Sequence, residues 1–267
     1  MYRAEVNGRP ATAEQLATPA VVNYGHFTSM QVRDGAVRGL DEHLRRLADS
    51  TPALFGAELD TALVREYLRH AVAGETAVTA RVSIVALTPW PDPTVPVVPD
   101  VLVTLRAPSE PGGRALRLRS VPYERESPEI KHVGTFGLIH HSRAAKLAGF
   151  DDALFVTTTA GREGLVSEAS VWNAGFFDGS AVLWPQAPML DGITQQLLRR
   201  GLERLGVRSQ TRPLPLAEAI GQRSAFLCNS GTPGRPIAGI DDATCTVDPD
   251  LTALLTEAYE TNPFDVI

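Results

Sequence analysis

Residues 107 to 113 read APSEPGG, a polar stretch crowded with proline and glycine between two strand-like runs, VLVTLRA and ALRLRSVPY. Proline lacks the donor that a ladder needs and glycine weakens any regular element, so neither strand nor helix continues through this segment. The chain of 267 residues is long enough for two cores, and the break implies them. The expected organisation is an α+β fold in two lobes: a smaller α/β N-terminal lobe over residues 1–106, a linker over 107–113, and a larger strand-rich lobe over 114–267.

Within the first lobe, YGHFTSMQVRDGAVRGL places period-two apolar residues on both sides of Asp34-Gly35, the pattern of a hairpin. DEHLRRLADS follows, with Leu40, Leu44 and Leu47 on one helical face and Asp41 suited to cap it. A second helix is expected over 60–73, then buried strands at ARVSIVAL and VLVTLRA around a proline-rich loop from Pro89 to Pro99. The second lobe is expected to carry a helix over 137–148 ending at Gly149, strands at DALFVTT, ASVWNAGFF, AVLWP and AFLCNS, and a helix from about residue 192 to 205. This order does not fit a doubly wound sheet or a regular β/α barrel, and GxGxxG, Walker and GxSxG motifs are absent.

A net charge of -6 gives no field that gathers polyanions, so nucleic acid is not an expected partner. Cys228 and Cys245 are too few for a disulfide framework and lie in no metal-ligand spacing. No apolar run approaches the roughly 18 residues of a membrane span, and the N-terminus lacks a signal-peptide core, so a cytoplasmic protein is expected. No metal is expected: His140 and His141 are adjacent on a helix, point apart, and read as surface or dimer-contact residues.

The chain has 25 lysines and arginines, of which only Lys131 and Lys146 are lysines. A surface lysine can be exchanged for arginine at little cost; one needed for its titratable primary amine cannot. Lys146 stands just before Gly149, where a cation complements the end of a helix. Lys131 follows Pro128 beside His132 and Gly134, and by itself also reads as a solvated loop residue.

The series KHVGTFGLIHHSRAAKLAGFDDALFVTTTAGREGLVSEASVWNAGFF, LDGITQQLL and CNSGTPGRPIAGID, with YGHFTSMQVRDG and DEHLRRL ahead of it, resembles the class IV aminotransferase family of pyridoxal phosphate enzymes. That family, of fold type IV, includes branched-chain and D-amino acid aminotransferases and the aminodeoxychorismate lyases. The resemblance runs from about residue 20 to 240. It implies pyridoxal 5′-phosphate as cofactor, a homodimer with its pocket between the lobes, and a reaction moving an amino group between an amino acid or amine and a 2-oxo acid through a Schiff base at Lys131. Lys131 would then be both anchor and base. Glu168, in VSEASVWN, matches the carboxylate beside the ring nitrogen. Gly192, Ile193 and Thr194 match the phosphate cup at a helix start, with Arg46 and Ser230 as further phosphate contacts. Tyr24, Thr28 and Arg81 are candidate substrate-binding residues, and Arg235 a weaker one.

The sequence also departs from the family pattern. Thr135 and Phe136 stand where several transaminases carry a tyrosine, Trp172 replaces a small residue, Gln195 stands where arginine often follows the threonine, and Asp191 brings a carboxylate to the phosphate cup, where it could cap the helix. GHFTS, KH and CNSG look closer to the lyases, which release pyruvate from aminodeoxychorismate. A lyase, and a family member that has lost its cofactor, are therefore the alternatives to the transaminase.

Overall fold

The computed structural model describes residues 3–87, 92, 94–110 and 112–267. Pro89, Trp90, Pro91 and Pro93 of the proline-rich loop, and Pro111 of the 107–113 segment, lie outside the described residues. The chain forms two compact units. One comprises the chain up to Ser109 together with Ile130–Gly134 and Pro263–Ile267; the other comprises Glu110–Glu129 and Thr135–Asn262. Two segments that the sequence places in the second lobe, 130–134 and 263–267, thus pack with the first.

The first unit is built on a seven-stranded antiparallel sheet in the order Phe264–Val266, Ala36–Arg38, Gly25–Arg33, Ala77–Val85, Asp100–Arg106, Arg3–Val6, Arg9–Pro10. The hairpin turns at Asp34 and Gly35, whose φ of 49° and 71° are those of a tight two-residue turn. Alternation along the strands sends Met30, Val32, Ala80, Val82, Ile84, Val103 and Leu105 to one face. There they meet Leu40, Leu44 and Leu47 of the Leu40–Phe55 helix and Val64 and Leu68 of the Thr61–Ala71 helix in one core. Asp60 caps the second of these helices through the amides of Ala62 and Leu63.

Asp41 does not cap the first helix: the N-cap is Gly39, at φ 74°, and no side chain of its own bonds the first turn. The amides of Gly39 and Leu40 donate instead to Asp265 Oδ2, at 3.2 and 3.1 Å. A carboxylate more than two hundred residues away in sequence satisfies these donors, and it arrives with the C-terminal strand Phe264–Val266.

The second unit holds a nine-stranded sheet in the order Arg208–Arg212, Ala181–Pro185, Trp172–Phe177, Ser224–Asn229, Thr232–Ile240, Leu116–Pro122, Asp152–Val156, Val166–Ala169, with Ala243–Thr244 paired to Thr232–Ile240. Val166–Ala169 also pairs with Trp172–Phe177, so six of these strands close into a circuit. The single strand expected over ASVWNAGFF is two, because the chain turns at Ser170 and Val171. Apolar residues of alternate faces form two cores. One gathers Leu118, Leu154, Phe176, Leu227 and Ile237; the other packs Val182, Trp184 and Phe226 under the helices Ile193–Arg204 and Pro249–Glu260. A third helix, Phe136–Leu147, covers Ala153 and Phe155 with Ala145 and ends just before Gly149, at φ 86°.

Candidate active site

In the first unit, residues 130–133 run as a short antiparallel rung beside the start of the Gly25–Arg33 strand. The Phe27 amide donates to the Lys131 carbonyl and the Val133 amide to the Gly25 carbonyl, each at 2.9 Å, and His26 opposes His132. Gly25 is at φ 144°, and a Cβ there would lie 2.6 Å from the Ile84 carbonyl oxygen, so only glycine begins this strand without strain. Lys131 and Phe27 are opposite one another. The Lys131 ammonium lies 4.9 Å from the Phe27 ring centroid and the Arg81 guanidinium 3.5 Å from the same ring, a cation–π arrangement that gathers two positive charges around one aromatic side chain. Arg81 is held by donation from Nε to Ser83 Oγ at 3.2 Å.

On the opposite face of that strand, two His–Thr pairs join it to the Leu40–Phe55 helix: Thr28 Oγ1 to His43 Nδ1 at 2.6 Å, and His26 Nε2 to Thr51 Oγ1 at 3.1 Å. Burial pushes the His43 imidazole down to about 3, and the cations of Arg46 and Lys131 push the same way. Burial alone brings His26 to about 4. Both rings are therefore neutral near pH 7. Thr28 thus bonds His43 directly, while the charges of Arg46 and Lys131 act on its ring from further off. Tyr24 is set differently: its hydroxyl donates to the Leu54 carbonyl at 2.8 Å and its ring stands edge-on to Phe55.

In the second unit, Glu168 lies in the buried strand Val166–Ala169 and is itself buried. Its Oε1 accepts from Arg125 Nε at 2.8 Å and its Oε2 faces the Leu190 amide at 3.4 Å. The Ile193–Arg204 helix opens at Gly192 with no side-chain cap, which leaves first-turn N–H groups available to an anion. A Cβ at Gly192 would stand 1.9 Å from Asn173 Oδ1, so this position requires glycine by contact. Asp191 does not cap the helix. Its Oδ1 accepts from Gln195 Nε2 at 3.3 Å and Arg199 Nη2 at 2.6 Å, which turns the carboxylate along the helix flank and pairs its charge. Thr194 is buried in the first turn, and Ser230 is half-buried in the tight turn between Ser224–Asn229 and Thr232–Ile240. Arg235 bonds the Gly112 carbonyl.

The family profile described as amino-transferase class IV matches residues 25–240. The chain belongs to the class IV aminotransferase family. Members of this family depend on pyridoxal 5′-phosphate, and that is the cofactor this membership assigns. Among solved structures, this family member is similar to a fold IV transaminase from Curtobacterium pusillum, with 23% identity over 88% of this chain and 85% of that one and a TM-score of 0.75. It is similar to a hypothetical aminotransferase from Mycobacterium tuberculosis in its pyridoxal phosphate-bound form, at 19% identity, 98% of each chain and a TM-score of 0.80. A branched-chain aminotransferase from Thermoproteus uzoniensis, solved with norvaline, shares 19% identity over 97% of this chain and 93% of that one, at a TM-score of 0.80. These likenesses establish the fold, a mixed α and β fold of type IV. No curated protein matches the chain. Among the described residues, no helix is long and apolar enough to cross a membrane.

The residues present fit the cofactor's chemistry. A half-buried primary amine, a buried carboxylate, an uncapped helix start at a glycine that tolerates no Cβ, and a half-buried arginine are the groups its aldehyde, ring nitrogen and phosphate require. The first unit carries Lys131, Arg46, Tyr24, Thr28 and Arg81; the second carries Glu168, Gly192, Ile193, Thr194 and Ser230. Sequence reasoning missed Arg125 and His43. His43 leaves a signal, since it shares the buried helical stripe of Leu40, Leu44 and Leu47. Arg125 leaves none, because its partner lies 43 residues on.

Proposed function

We propose that the chain is an aminotransferase that moves an amino group between an amino acid or amine and a 2-oxo acid, with Lys131 as its catalytic lysine. What carries this reading is the setting of the chain's two lysines inside the family-matched range. Lys131 is half-buried and fixed by a backbone rung, whereas Lys146 is exposed in the last turn of a helix.

The bound cofactor supplies an aldehyde that accepts the amino group and a pyridine ring that withdraws electrons. Lys131 would hold the cofactor through its primary amine and would be the base that takes the proton from the donor's α-carbon. Arg46 and the amides at Gly192, Ile193 and Thr194, with Ser230, bind the phosphate. Glu168 would be the carboxylate that holds the ring nitrogen protonated. Arg81, with Tyr24 and Thr28, orients the substrate, the guanidinium meeting its carboxylate. We also propose a homodimer, supported by Phe136, Ile139 and Leu147, which expose one apolar helix face.

Incubation of the holoenzyme with single L- and D-amino acids or amines, without any oxo acid, tests the assignment. Mass detection of pyridoxamine 5′-phosphate in stoichiometric amount is the expected result. Its absence with every donor overturns the reading, and pyruvate release from aminodeoxychorismate in its place makes the enzyme a lyase.

A further inference from the structure

Arg125 has no role in the assignments above, yet it pairs with Glu168, and both side chains are almost wholly withdrawn from solvent. Two buried charges lose their hydration, and removing one partner strands the other, so such a pair persists only where its geometry is good. Here it is good. Arg125 gives Nε to Glu168 Oε1 at 2.8 Å and a terminal nitrogen to the Pro128 carbonyl. One guanidinium therefore fixes both the Glu168 carboxylate and the backbone three residues before Lys131 in the chain.

We infer that Arg125 is a positioning residue for the cofactor site: it holds Glu168 charged and aimed, and it fixes the turn that delivers Lys131. This inference rests on the assignment of Glu168 to the ring nitrogen. A carboxylate can keep that nitrogen protonated only while it is itself ionised. Buried without a cation, it takes up a proton at higher pH, and its negative charge is lost to the ring. Within the second unit, this neighbourhood also holds Tyr123, Glu126 and, against the Tyr123 ring, His141, whose imidazole burial pushes down. The Tyr123 phenol is pushed up first by burial, is lowered by Arg125, and is raised again by Glu126 and Glu168, so it stays neutral and adds no charge to compensate for a lost guanidinium. Asp152, on the adjacent strand, is occupied by the Ser170 hydroxyl at 2.7 Å. Asp191, just after Leu190, is paired with Arg199. Among these groups Arg125 is the cation against Glu168.

Pyridoxal phosphate affinity measured at pH 6 and pH 9 for the wild type, Arg125→Met and Arg125→Lys tests the inference. Arg125→Met is expected to weaken binding about tenfold more at pH 6 than at pH 9, because the stranded carboxyl is largely protonated at the lower pH and ionised at the higher. Arg125→Lys restores most of the charge effect. In the background of Glu168→Gln, Arg125→Met adds no pH dependence. Equal weakening at both pH values, or Lys behaving as Met does, overturns the inference and makes Arg125 merely structural. If Arg125→Met fails to fold, the Arg125→Lys comparison and a carbon-13 titration of the Glu168 carboxyl, identified by its loss in Glu168→Gln, decide it. In that titration, an unchanged Glu168 midpoint in Arg125→Gln counts against it. Because the titration reads Glu168 without the cofactor, it separates failure here from failure of the lysine assignment, which shows as wild-type protein that forms no adduct at Lys131.

Discussion

Thr28 Oγ1 and His43 Nδ1 lie 2.6 Å apart, a buried hydroxyl–imidazole pair that ties the Gly25–Arg33 strand of the first unit to the helix carrying Arg46. With His26–Thr51 it makes two such ties between the same two elements. Each depends on an uncharged ring, because the surroundings offer burial and, for His43, two nearby cations.

Acid should therefore unfold the first unit early. The folded values of His26 and His43, about 4 and about 3, lie below the 6.5 of an unfolded histidine. Above that value neither state binds the protons and stability is full. As pH falls below it, the unfolded chain takes up two protons that the fold refuses, and stability declines until the folded values are reached. The loss is on the order of several kcal/mol, checked by urea denaturation between pH 7 and pH 4. Replacing both histidines by glutamine should flatten that decline.

Gly25 begins the strand against which residues 130–133 lie. Gly25→Ala would place a methyl 2.6 Å from the Ile84 carbonyl oxygen at a φ of 144°, which few side chains tolerate. The change should cost about 2–3 kcal/mol and lower the fraction of Lys131 modified by the cofactor. Chemical denaturation and adduct yield measure the two effects separately.

Gly201 lets the Ile193–Arg204 and Pro249–Glu260 helices touch, since an added Cβ would stand 1.8 Å from the Ala258 carbonyl oxygen. Gly201→Ala should destabilise the second unit by about 1–3 kcal/mol through overpacking, despite alanine's better helix propensity. A thermal melt reads the sign directly: a rise in Tm contradicts this contact.

Asp191 looks in the sequence like a charge misplaced against a phosphate. Because Arg199 and Gln195 already engage it, Asp191→Asn should change pyridoxal phosphate affinity by less than about threefold, a difference below 1 kcal/mol. Equilibrium titration checks this, and a tenfold gain would mean that the carboxylate acts on the phosphate.

What the sequence made legible was local. The hairpin at Asp34-Gly35, the leucine stripe of Leu40, Leu44 and Leu47, and the glycine ending the 136–147 helix each depend on neighbours within one turn or one pleat. What it hid depends on distant partners. Asp265 takes the capping place expected of Asp41 because the C-terminal strand returns to the sheet edge. Val166–Ala169 and Trp172–Phe177 separate because two residues between them turn. The ordered motifs from Lys131 to Ser230 conveyed the family; Arg125 stayed hidden because a lone arginine before a proline turn has no period to betray its carboxylate.

Which amine bonds the cofactor decides whether Lys131 is the catalytic lysine. Holoenzyme reduced with borohydride, digested and read by peptide mass spectrometry should carry one pyridoxyl group per chain, on the peptide containing Lys131, and Lys131→Ala should carry none. A pyridoxyl group on Lys146 or on the N-terminal amine, or none on the wild type, would contradict it.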